Sequence, residues 1–327
     1  MIAWTDTGTV AGFRLFVIVA TMIVGGLATI ATVVGFFGSV WWPFDYVANL
    51  RWYLLWVLLI ASVIYALTAK GWLVVAMLVA MAANAFVLAP LWLGSQPDSI
   101  GESSLVVIHL DATGGFSDQE EATDWAAASD ADVLLISGAT TELVDEITAT
   151  DGAWLVLLAP DMDNTAGQVV LARERWEVAV TPTGVGSDTV TRVTADGNGT
   201  TYDIVTALGP TASNAAKADR LAARLDTIRT IIDSASNPVI VIGNIGATRW
   251  TSGMRDLLST TDLRDATEGY GYLSTSWASD LPLIGGWLGL PLDVVLMTPG
   301  VTPVELDTGP DVTARHLPVR VLAGPGS

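Results

Sequence analysis

Three apolar runs dominate the first 95 residues, and each is long enough to cross a bilayer. They are Leu15 to Gly38, Trp52 to Ala69 and Trp72 to Leu93. A helix covers the ~30 Å of bilayer hydrocarbon with about 20 residues. The runs therefore predict three transmembrane helices, near 15–38, 52–69 and 72–93. The only charged residues here are Asp6, Arg14, Asp45, Arg51 and Lys70. The other 32 acidic and 12 basic residues give the rest of the chain a net charge of −20. This partition predicts a membrane domain over 1–94, a polar linker over 95–104 and a soluble domain over 105–327, large enough to bury its own core.

Trp41, Trp42, Trp52, Trp72 and Trp92 stand at the ends of the runs, where amphipathic rings settle at the headgroup level. The first run is too long for a cleaved leader and reads as a retained span. With three spans, Arg14 and Lys70 share one side; Arg51, offset by Asp45, marks the other. The positive-inside bias then puts the amino terminus in the cytoplasm and the acidic domain outside, at the plasma membrane. Asn84 is the one strongly polar side chain within a span and is expected to bond between helices.

The chain has no cysteine, which excludes disulfides and Cys-ligated zinc. The acidic surface argues against nucleic acid, because a polyanion calls for a Lys/Arg stripe. No cofactor is indicated. Beyond residue 104 the pattern mixes short β-branched runs with helical periodicity. Leu105 to Leu110, "DADVLLIS", "AWLVLLAP", "PVIVIGN", "LDVVLMTPG" and "LPVRVLAG" read as strands. Glu120 to Ala128, Glu142 to Thr148, Ser213 to Ser234 and Thr251 to Ser259 read as helices. "DGNG" between two alternating runs is a hairpin signal. Together these predict an α+β class, with two sheets packed as a sandwich and helices outside.

The order of these segments resembles the endonuclease/exonuclease/phosphatase family, the metal-dependent phosphodiesterases related to pancreatic deoxyribonuclease and the sphingomyelinases. "ASDADVLLIS", "PVIVIGNIGATRWTSGMRDLLSTTDLRDA", "LPLDVVLMTPG" and "RHLPVRV" carry the resemblance. "WWPFDYVANLRWYLL" is similar to the first loop of a bacterial branch with three amino-terminal spans. The resemblance implies a two-sheet α/β sandwich of the deoxyribonuclease-like type.

It also implies a site, and most of its positions differ here. Asp111 stands where the family has an asparagine that organises the metal. Ser137–Gly138 replaces a Gln–Glu pair whose glutamate binds it. "VTALGP" lacks the family's middle histidine. Asn244 and Gly246 stand for the aspartate and asparagine of "GDFN", and Arg315 for the aspartate of "SDH". Asp293 and His316 match an aspartate that orients a catalytic histidine. Too few oxygens remain for a hard cation, and Arg315 brings a fixed positive charge, so no metal is expected. The reading is a pseudoenzyme, with Asp293–His316 a vestigial pair, serving as accessory or scaffold subunit of a respiratory or envelope membrane complex. Arg315 is expected to pair with Asp293 or Asp111. The alternatives are a divergent metal-dependent phosphodiesterase acting on lipid or envelope phosphates, and a sensor of phosphorylated headgroups. His109 reads as a core histidine. Glu142, Asp161 and Asp163 read as solvated acids, Asn198 as a turn residue, and Trp287 as part of a hydrophobic hairpin edge, with contact to bilayer or partner the alternative.

Overall fold

The computed structural model describes residues 7–69, 71–94, 104–150, 153–160, 167–184, 188–197, 199–276 and 288–326. Lys70, Asp161, Asp163, Asn198, Trp287 and nearly all of the linker lie outside these residues. The chain divides into two compact units. One comprises Met1–Pro90 with Trp250–Ser252, the other Leu91–Arg249 with Gly253–Ser327.

The first unit is built on α1 (Thr7–Val34), α2 (Trp42–Ala48), α3 (Arg51–Thr68) and α4 (Leu73–Leu88), followed by the single turn α5 (Pro90–Leu93). Among the described residues, two helices are long and apolar enough to cross a membrane, over Ala11–Val34 and Arg51–Thr68. The third differs from expectation. It is a 16-residue helix, about 24 Å at 1.5 Å per residue. It breaks at Ala89, just before Pro90, whose ring removes a backbone donor and clashes with the preceding turn.

Small side chains line the interior of this unit. Ala28, Ala61 and Ala80 pack with Leu58 and Met77. Gly25 lets α1 approach, since a Cβ there would sit 2.2 Å from Met77 Cε and 3.2 Å from Ala61 Cβ. Phe13, Phe16, Leu27, Ile30, Leu67 and Phe86 point outward and are exposed. Apolar outside and small or polar inside is the reverse of a water-soluble bundle. Asn84 is fully buried. Its Nδ2 donates to Thr32 Oγ1 at 2.8 Å and to the Ala80 carbonyl at 3.1 Å. Arg51 is buried as well. Its guanidinium donates to Asn84 Oδ1 and the Gly35 carbonyl, both at 3.3 Å, and lies 4.0 Å from the Phe36 ring centre. Arg51 therefore belongs to the bundle interior and is not a free loop charge. Arg14 is exposed and donates to the Thr68 carbonyl at the end of α3, at 2.9 Å.

The second unit is a two-sheet sandwich. Its elements run β1 (Leu105–Asp111), α6 (Gln119–Ala128), β2 (Val133–Ser137), α7 (Thr141–Thr150), β3 (Trp154–Leu158), β4 (Val169–Arg173), β5 (Glu177–Thr183), β6 (Val190–Gly197), β7 (Thr200–Ala207), α8 (Ala215–Ser234), β8 (Val239–Asn244), α9 (Ser252–Thr260), β9 (Arg264–Asp265), β10 (Asp293–Met297), β11 (Val301–Thr308) and β12 (Val319–Pro325). The sheets are ordered β11-β12-β1-β2-β4-β3 and β5-β6-β7-β8-β10-β9. β1 pairs with β2, and β7 with β8, in parallel; the other pairings are antiparallel.

The central strands are apolar on both faces because both faces are covered. In β1, Leu105 and Val107 face the opposite sheet, while Val106, Ile108 and Leu110 pack on α6 and α7. In β8, Ile240 and Ile242 face inward, while Val239 and Val241 pack on α8. Side chains alternate along a strand. The inward rows therefore continue into His109 and Asp111 on β1, Ser137 on β2, Asn244 on β8 and Asp293 on β10. Each row turns from apolar to polar at the same end of the sandwich.

Candidate functional site

The polar ends of these rows meet. Asp293 opens β10 directly across from Asn244, the last residue of β8. His316 lies in the loop before β12 and is held by Thr313, whose Oγ1 accepts from the His316 N–H at 3.0 Å and donates back to its carbonyl. All five of Asp111, Asn244, Asp293, His316 and His109 are buried.

Asp293 sits between two imidazoles. Its Oδ2 meets His316 Nδ1 at 2.9 Å, and its Oδ1 lies 3.2 Å from His109 Nδ1. The second contact is an ion-pair distance without the alignment of a hydrogen bond. Burial alone would raise the Asp293 pKa. The two imidazoles outweigh it, and the carboxyl lies well below the ordinary range. His109 Nε2 continues to Ser137 Oγ at 3.2 Å. Burial disfavours the charged form of His316, yet its pKa is raised, because the Asp293 bond and the nearby Asp111 charge outweigh burial and the opposing charge of Arg315.

With Nδ1 committed to Asp293, His316 Nε2 is the free edge of the ring. It lies 3.4 Å from Asn244 Nδ2 and 3.7 Å from Asp111 Oδ2. Asn244 Oδ1 accepts from the Gly246 N–H at 3.1 Å, which identifies the amide oxygen and turns the NH₂ toward the site. That NH₂ donates to Asp111 Oδ2 at 2.8 Å. Asp111 Oδ1 accepts from the Thr113 N–H at 3.0 Å and the Thr113 hydroxyl at 2.6 Å.

The loop carrying Gly246 has no room for a longer residue. Gly246 has φ +85°, and a Cβ there would lie 2.5 Å from the Gly209 and Pro210 carbonyl oxygens. Behind this loop the buried Arg224 of α8 donates to the Ile245 carbonyl at 2.9 Å and reaches Asp188 at 3.2 Å. Gly138, at φ +73°, is equally confined: a Cβ would meet the Thr113 backbone at 2.7 Å. On β7, within the stretch that lacks a histidine, Thr206 Oγ1 is buried without a hydrogen-bond partner among the described residues.

Arg315 does not pair with Asp293 or Asp111 as expected. It is exposed. Its aliphatic stem lies over Gly114, so close that a Cβ on Gly114 would be 2.9 Å from its Cγ and Cδ. Glu142 is exposed on α7. His109 was expected in the core and is there, but as a member of the Asp293 network. Strand parity was the signal for it, since His109 shares the inward row with Asp111. A groove lined by Asn237, Pro238, Thr260 and Thr298 lies at the other end of β8 and contains none of these groups.

Asp111, Asp293 and His316 offer ligand atoms within 4.8 Å of one another, a spacing that could close on a metal. The divalent cation implied by the resemblance does not fit the set as it stands. A hard cation takes six or more oxygens, several of them from water, but it needs one or two carboxylates free to ligate. Both Asp293 oxygens face imidazole nitrogens, Asp111 accepts three hydrogen bonds, and Asn244 turns its donor inward.

Solved structures of the same fold include D. rerio TDP2 complexed with a single-strand DNA product. It is 14% identical, at a TM-score of 0.55, covering 68% of this chain and 100% of that one. Another is an endonuclease/exonuclease/phosphatase from Bacteroides vulgatus, 12% identical at 0.53, covering 68% and 100%. A third is a mannosyl-6-phosphatase of Bacteroides thetaiotaomicron, 10% identical at 0.50, covering 67% and 99%. No curated protein matches the chain in sequence. The exclusion of nucleic acid does not stand, because this fold holds a DNA strand in the D. rerio structure. Net charge describes the whole surface, whereas a strand is held by the local potential of one groove.

The expectation of a non-enzyme is overturned too. The family model that matches residues 111–323 describes endonucleases, exonucleases and phosphatases, all of them enzymes. The Asp–Asp–His cluster lies within that match. The expectation weighed the side chains that differ and set Asp293 and His316 aside as a vestigial pair. By this match, over more than half its length, the chain belongs to the Endonuclease/Exonuclease/phosphatase family.

Proposed function

We propose that the chain is a membrane-anchored phosphoesterase that hydrolyses phosphate esters presented at a bilayer surface. One observation carries this reading: Asp293 fixes the tautomer of His316, leaving Nε2 as a base at the edge of the cluster. The family supports ester hydrolysis at phosphorus. The outward apolar faces of α1 and α3 support the anchor.

The chemistry follows from the geometry. His316 Nε2 takes a proton from water as the water oxygen forms a bond to phosphorus. The bond from phosphorus to the alcohol oxygen breaks, and its electron pair stays on that oxygen. The proton held on His316 then passes to it, releasing an alcohol and a phosphate with one fewer ester bond. Asp293 stabilises the imidazolium in between, and the raised pKa of His316 favours holding that proton. The Asn244 N–H keeps Asp111 in place beside the ring.

For the anchor, we take α4 with its continuation α5 as the third span. Arg14 and Lys70 then stay in the cytoplasm and the domain faces outward. Substrates at the outer leaflet, such as lipid headgroup phosphates, follow from that placement. The test is hydrolysis of bis(p-nitrophenyl) phosphate, a lipid phosphodiester in vesicles and single-stranded DNA by the full chain. Intact spheroplasts are given the charged nitrophenyl ester as well. Hydrolysis is expected on the vesicles and by intact spheroplasts, and should vanish with His316→Ala. Activity surviving His316→Ala would sink the catalytic reading. Activity appearing only after lysis would reverse the orientation, and preference for DNA over lipid would replace the substrate class.

A further inference from the structure

We propose that Arg315 is the cation that meets the phosphate here, taking the place of a divalent metal, so that the esterase works without one. The inference rests on the phosphoesterase reading and deepens it. Phosphoryl transfer needs positive charge on the non-bridging oxygens, where negative charge must be stabilised. The donor set around His316 does not supply it through a hard cation. Asn244 presents an amide N–H, held that way by Gly246. Gly138 and Gly246 contribute no side chain, and the backbones at Thr113, Gly209 and Pro210 leave space for none. Both Asp293 oxygens are committed to the two histidines.

Arg315 has what these lack. It directly precedes His316 in the chain. Its stem is seated on Gly114, in the turn that follows Asp111. The Ala314 N–H, bonded to the Gly115 carbonyl at 2.9 Å, ties its own loop to that turn. Among the described residues its guanidinium has no acceptor. Arg192 and Arg320, by contrast, make paired bonds to Asp203 and Asp130. In a domain with so large an excess of carboxylates, an exposed arginine without a partner among the described residues, next to the base in the chain, is suited to an anion. A guanidinium presents a planar fork matched to two phosphate oxygens. It would polarise the phosphorus while His316 takes the proton from water.

The test uses the full chain in detergent, with bis(p-nitrophenyl) phosphate as substrate and inorganic phosphate as ligand. Excess EDTA is expected to change the rate less than twofold, and added Mg²⁺ or Mn²⁺ should not raise it. Arg315→Ala should lower kcat/KM by about 100-fold without moving the melting curve, because the side chain is exposed; Arg315→Lys should restore part of it. Phosphate should raise the melting temperature of the wild type and not of Arg315→Ala. Loss of activity in EDTA with recovery on a divalent cation would overturn the inference while the phosphoesterase reading survives. So would an Arg315→Ala variant as active as the wild type. If the wild type hydrolyses nothing, that reading falls, and phosphate protection decides for Arg315: dependence on Arg315 supports the anion seat, and its absence overturns it.

Discussion

The molecule buries two polar networks, and they are built on opposite principles. In the helical unit, Arg51, Asn84 and Thr32 link three helices through neutral amide, hydroxyl and carbonyl acceptors. In the sandwich, a carboxylate with depressed pKa holds two imidazoles, and an amide holds a second carboxylate. The first network spreads one charge over dipoles. The second sets titratable groups against each other. Fastening needs only the first kind. Moving protons needs the second, because it holds an imidazole against carboxylates.

The difference can be broken most sharply at Asp293. Asp293→Ala leaves two buried imidazoles without their shared partner. Breaking a buried pair costs about 3–5 kcal/mol, and denaturant unfolding of the full chain should show a loss of that order. A loss below about 1 kcal/mol would mean that the network is as compliant as a surface pair.

A middle-sized effect should appear with pH. His316 has a raised folded pKa, so its contribution is fully present below its ordinary value of 6.5 and is lost as pH rises through the folded value. Asp293 has a depressed one, so its contribution is present above its ordinary 3.8 and fades as pH falls toward the folded value. The melting temperature of the sandwich should therefore peak on the acid side of neutrality and decline above pH 6.5. His316→Gln should flatten that decline. An unchanged alkaline slope in the variant would show that other groups carry it.

The smallest effect belongs to the helical unit. Asn84→Ala removes bonds to Thr32 and Arg51, worth about 1 kcal/mol in a membrane setting. Steric trapping or detergent unfolding should show a loss of that size with no dependence on pH from 5 to 8. A pH-dependent loss would erase the distinction between the two networks.

Much of this was legible before any coordinates. The continuous apolar runs of β1 and β8 need cover on both faces, and the two-sheet sandwich follows. Asn84 stood out as polar among apolar neighbours. What escaped was tertiary. Arg51 read as a loop charge because burial of a cation depends on helices distant in sequence. His109 read as filler because its partner, Asp293, lies far along the chain and on the other sheet. Arg315 was assigned to Asp293 or Asp111 by charge alone. In the structure, two histidines and Asn244 have already taken those carboxylates. The third span was misjudged in length, since hydropathy does not register the break that Pro90 imposes.

Gly138 couples its own position to Asp111. Its left-handed backbone and the Thr113 main chain at 2.7 Å from any Cβ mean that any side chain there is strained and presses on the Thr113 turn. A glutamate would need the Thr113 turn to move, and that turn holds Asp111. A carboxylate gained at Gly138 would therefore be set against the one already held at Asp111.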